Sequence, residues 1–175
     1  MKSAFKIKKS LQEVRREVIV LGIDPGVKRI GYGLVQKEGP RLSCLAAGIL
    51  NVTANEQALA LQEARRELLG VINKFNPELL AIEKLFFAKN KKTALSVAEA
   101  RGVILASAAE CGVKVVEYAP NSVKLGVAGY GNADKKAVWK MVQFTLGLRG
   151  KLIDDASDAL ALAILGCGEL REYLA

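Results

Sequence analysis

The chain has 175 residues, 51% hydrophobic and 25% charged, which suits one ordinary globular domain with a real core. Its formal net charge is +8, a balance that fits a polyanionic partner such as nucleic acid or a membrane surface, although a basic surface can also serve solubility alone. It contains no histidine, which excludes Ser-His-Asp and Cys-His nucleophiles, histidine-ligated zinc and histidine general bases, so any catalysis must rest on carboxylates, lysines, tyrosines or hard metals bound by oxygen.

Residues 1–17 (MKSAFKIKKSLQEVRRE) are basic and then helix-prone, without the long apolar stretch of a secretory signal. They read as a flexible basic arm or a short exposed helix ahead of the domain, or as the product of an early start codon. The domain proper is expected over 18–170, with 171–175 as a tail. Val18–Asp24 (VIVLGID) reads as a buried strand stopped by Asp24-Pro25-Gly26. Further strands are predicted at about Ile30–Gln36 and Arg41–Leu50, turning at Gly39-Pro40, so the first three should form an antiparallel meander. The period then changes. Asn55–Lys74 reads as an amphipathic helix, Glu78–Glu83 as a short strand, Lys91–Cys111 as an alanine-rich helix and Gly112–Tyr118 as a strand. A short helical segment is expected from about Asn121. Gly126–Gly131 (GVAGYG) is expected as a mobile or tightly turned loop. Ala133–Leu148 and Asp155–Leu170 read as the last helices. The order βββαβαβα with added helices implies one α/β domain, a mixed five-stranded sheet with helices on its faces. No run approaches the roughly eighteen apolar residues of a membrane span. Cys44, Cys111 and Cys167 are widely spaced and form no C-x-x-C pair, so reduced thiols in a cytoplasmic protein are expected, with Cys167 as packing.

Four carboxylates stand out. Asp24 ends the first strand, where an Asp before Pro-Gly is also a good turn initiator. Glu83 closes the apolar strand LLAIE, where it could simply face solvent. Asp155 and Asp158 share one helical face at the start of a strongly apolar helix, and capping or complementing the helix dipole accounts for the first better than the second. In an α/β sheet, sites form at the carboxyl ends of neighbouring parallel strands. Four acids meeting there would repel one another unless cations lay between them, and oxygen-only ligands select Mg²⁺ or Mn²⁺. Two such ions roughly 4 Å apart could activate water and stabilise the leaving oxygen of a phosphodiester.

The segments LGIDPGVKRIGYGLV, PELLAIEKLFFAKN, TALSVAEARGV, VVEYAPNSVKLGVAGYGNADKKAV and DDASDALALAI occur in an order and spacing that resembles the RuvC family of bacterial Holliday junction resolvases, over nearly all of Val18–Gly166. The resemblance implies a ribonuclease H-like fold and a Mg²⁺-dependent endonuclease that cuts two strands of like polarity at a four-way DNA junction, symmetrically and as a homodimer, in recombination and repair. It places Asp24, Glu83, Asp155 and Asp158 on the metal-binding acids, two ions per site with Mn²⁺ able to substitute. It places Phe86 on an aromatic that probes bases near the junction centre, and Lys124 and Lys135 on basic residues that serve catalysis or backbone binding. The helix around Leu95–Leu105 resembles the family's dimer interface, and the branch-migration proteins RuvA and RuvB are implied as partners. Ala137 stands where the family often has glutamine. Other readings are a sugar-kinase-like phosphotransferase, for which the chain is too short to enclose a nucleotide, a non-catalytic junction binder, and a relative acting on RNA or nicked duplex.

Overall fold

Between Val18 and Ile23 the chain carries no charge and is rich in β-branched residues, a pattern suited to a strand covered on both faces. In this computed structural model, which describes residues 17–26, 28–85 and 91–173, that run is β1 (Glu17–Asp24), at the centre of a five-stranded sheet. Val20, Leu21 and Ile23 are fully buried. The meander continues antiparallel through β2 (Arg29–Glu38) and β3 (Arg41–Asn51). On the other side of β1, β4 (Leu79–Glu83) and β5 (Lys114–Tyr118) pair parallel. Their crossovers are α1 (Gln57–Phe75) and α2 (Lys91–Glu110), as parallel pairing requires. The sheet order β3-β2-β1-β4-β5 is the mixed sheet expected of a ribonuclease H-like fold.

Strand alternation separates the core into two layers. Leu21, Ile23, Ile30, Leu34, Leu80 and Ile82 face α1 and α2. Val20, Leu79, Ala81 and Val116 face the last three helices, α3 (Pro120–Ala128), α4 (Lys135–Leu146) and α5 (Asp154–Tyr173). Gly22, Gly31 and Gly33 seat α5 on the sheet. A Cβ at Gly22 would stand 1.9 Å from the Ala159 carbonyl oxygen, and one at Gly31 would stand 2.1 Å from that of Asp155. Only hydrogen fits there, so the backbone of α5 lies directly against β1 and β2.

Several boundaries differ from the expected ones; α4 runs over Lys135–Leu146 rather than Ala133–Leu148, and β5 begins at Lys114 rather than Gly112. The last helix continues to Tyr173, three residues past the predicted end. The predicted GVAGYG loop is helical in its first half, because α3 starts with Pro120 in its first turn and ends at Ala128, with Gly129 as its left-handed cap. Gly126 sits inside that helix because a Cβ there would meet a Leu165 methyl at 2.4 Å; the glycine serves close packing on α5, not a turn. Cys167 is buried, as expected. Among the described residues no helix is long and apolar enough to cross a membrane.

Candidate active site

The sheet register brings two of the predicted acids together. Gly22 pairs with Ala81 and Ile23 with Ile82 across the parallel β1–β4 pair. Asp24 and Glu83, one residue further on, therefore end adjacent parallel strands on the same face, the face covered by α5. Crevices at the carboxyl ends of such strands are where α/β sheets place ligands. Asp158 reaches the same place from the second turn of α5. Together with Lys124 of α3 and Lys135 of α4, these acids line a cleft of about 250 Å³ over apolar side chains that include Val138 and Leu162.

The charges in the cleft are strongly coupled. Burial pushes the Asp24 carboxyl up to about 7, and repulsion from Asp158, Glu83 and Asp155 adds to it while Lys135 opposes it. Burial also raises Glu83, with Asp158 repelling it and Lys135 and Lys124 opposing. Lys135 Nζ donates to Asp158 Oδ2 at 2.7 Å, and this hydrogen bond raises the lysine's own pKa. Asp155 turns instead to Arg29, whose Nε lies 2.9 Å from Asp155 Oδ2. Among the described residues no three acids or thiols are gathered tightly enough to hold a metal ion as they stand; two of the four carboxylates are engaged by basic side chains. The donor chemistry nonetheless fits a divalent ion. Asp24, Glu83 and Asp158 offer only oxygen, which selects hard cations, and a cation between them would offset the burial and the mutual repulsion that together raise the Asp24 carboxyl. Glu83 is braced from behind the sheet. Arg101 of α2 donates from Nε to the Glu83 carbonyl oxygen at 3.3 Å and pairs with Glu117 at 2.6 Å.

The family model for the crossover junction endodeoxyribonuclease RuvC matches residues 20–166. The chain belongs to the RuvC family. It is 42% identical over 149 residues to the crossover junction endodeoxyribonuclease RuvC of Natranaerobius thermophilus, covering 84% of this chain and 92% of that relative. It is 46% identical to the RuvC of Syntrophomonas wolfei, covering 83% and 86% of the two chains. The solved Thermus thermophilus RuvC superposes with a TM-score of 0.81 at 33% identity, over 89% of this chain and 97% of that one. The T. thermophilus RuvC in complex with Holliday junction substrate gives the same score, over 89% and 96%. The yeast mitochondrial Holliday junction resolvase, at 16% identity and a TM-score of 0.61, shares the fold. The nuclease fold of the family implies use of a divalent metal in general.

Of the residues singled out in the sequence, Asp24, Glu83, Asp158, Lys124 and Lys135 meet in one cleft. Asp155 stands beside it, close enough to repel Asp24 but turned to Arg29 and not lining the cleft. Phe86 lies outside the described residues. Two participants were missed. Arg101 acts from the opposite face, and nothing local in the sequence marks it. Arg29 was signalled by strand alternation, because it precedes Gly31 by two residues and so shares the face on which α5 sits.

Proposed function

We propose that this protein is a structure-selective endonuclease that resolves four-way DNA junctions by symmetric, metal-dependent hydrolysis of two strands of like polarity, in recombination and repair. The observation that carries this reading is the meeting of Asp24, Glu83 and Asp158 in one basic-rimmed cleft, in a chain of the RuvC family. Asp24, Glu83, Asp155 and Asp158 would hold two Mg²⁺ ions, with Mn²⁺ able to replace them. When bound, the ions supply water activation and stabilise charge on the leaving oxygen. The carboxylates position this charge without histidine. Lys124 and Lys135 at the rim draw the scissile phosphate in and neutralise it. Phe86 is proposed to probe bases at the junction centre.

A two-fold symmetric junction calls for two such clefts, and a homodimer provides them. The exposed Leu95 on α2, 68% accessible, supports that helix as the dimer face. Residues 18–170 act as one nuclease domain, with 1–17 as a basic extension and 171–175 as a tail. The protein works in the cytoplasm, after RuvA and RuvB have set the junction in place.

Glu83→Gln and Asp158→Asn test the assignment. Each should lower junction cleavage by about 100-fold or more while leaving junction binding in EDTA within a few-fold of the parent. Unchanged cleavage by both variants would remove these acids from the active site.

A further inference from the structure

The face of β2 that meets α5 is formed by Arg29, Gly31 and Gly33, alternate residues of one strand. The two glycines let the helix backbone down onto the sheet. At Gly31 the neighbour is the Asp155 backbone itself, 2.1 Å from where a Cβ would stand. The first turn of α5 is therefore fixed beside the first residue of β2, and the Asp155 carboxylate falls within reach of the Arg29 guanidinium at 2.9 Å. The arginine side chain is 64% exposed, against 29% for the aspartate. An ion pair this open to water is weak and exchangeable. It lies beside a cleft whose proposed substrate is a chain of DNA phosphodiesters, and arginine binds phosphate in the same planar, bidentate way that it binds carboxylate.

Resting on the metal-dependent reading above, we propose that Arg29 is a positioning residue: it holds Asp155 away from the cleft until a DNA phosphate takes the guanidinium, so that substrate binding completes the metal site. DNA and divalent ions then bind cooperatively, each raising affinity for the other by the same factor. The device keeps the acids from assembling around metal before DNA is in place.

The test is a calorimetric Mn²⁺ titration of the full-length protein without DNA, together with junction binding in EDTA over a range of salt. Arg29→Ala should bind Mn²⁺ about 5-fold tighter or more without DNA. It should also bind the junction more weakly, with a log–log salt slope shallower by about one. Arg29→Lys should recover much of the junction binding. Lys28→Ala removes the same charge from the adjacent residue, whose ammonium lies on Asn55 at 2.6 Å, and should leave Mn²⁺ affinity near that of the parent. Unchanged or weaker Mn²⁺ binding by Arg29→Ala, an unchanged salt slope, or an equal gain in Lys28→Ala would each overturn the role of Arg29. Failure of the parent and all variants to bind Mn²⁺ would overturn it together with the metal-dependent reading on which it rests.

Discussion

At Asp24 a carboxyl is buried at the end of a strand among three others, and its pKa rises from 3.8 to about 7. Between those values the folded protein keeps a proton that the unfolded chain has lost. Metal-free stability therefore falls as pH rises from about 4 to 7 on account of this group, and levels off above it; the raised Glu83 acts in the same direction. Asp24→Asn should be more stable than the parent in EDTA at pH 8, by about 1–3 kcal/mol after allowance for solvent screening. The gain should vanish near pH 4. Thermal melts of both proteins across that range measure it, and a variant less stable than the parent at pH 8 would refute a carboxyl raised by burial and repulsion. Asp24 and Glu83 could be paired from the sequence because each ends a strand, and strand ends meet in a parallel sheet. Asp155 and Asp158 could not be told apart in this way. Their spacing put both on one helical face, but it could not reveal that Lys135 meets one and Arg29 the other across the fold.

Among the elements, α5 decides where the site sits, and glycine decides where α5 sits. Gly22→Ala would force a methyl into the Ala159 carbonyl and should cost about 2 kcal/mol or more. Gly70 lies in α1 with nothing within 4 Å of a Cβ, so Gly70→Ala should stabilise by about 0.5–1 kcal/mol through helix propensity. Chemical denaturation of the two variants gives opposite signs if this account holds; a neutral Gly22→Ala would contradict it. The same contrast explains what was legible. The strands and long helices followed from hydrophobic period and their ends from turn residues. The first half of GVAGYG did not, because sequence alone cannot separate a glycine that turns the chain from one that admits a neighbouring side chain such as Leu165.

For the whole molecule, the +8 net charge and the basic rim of the cleft favour a polyanionic substrate, and a two-fold junction favours two clefts on one assembly. For the proposed homodimer, Leu95→Glu, on the outer side of α2, should lower the mass from dimer to monomer in light scattering and lower paired cleavage without unfolding the chain; a dimer of unaltered mass would place the dimer face elsewhere. Junction resolution is tested by incubating the protein with a labelled four-way junction and with linear duplex of the same sequence, with Mg²⁺ and with EDTA. Paired, symmetric nicks near the junction centre are expected in Mg²⁺ alone, with little cutting of the duplex. Cleavage in EDTA, or equal cutting of junction and duplex, would contradict it.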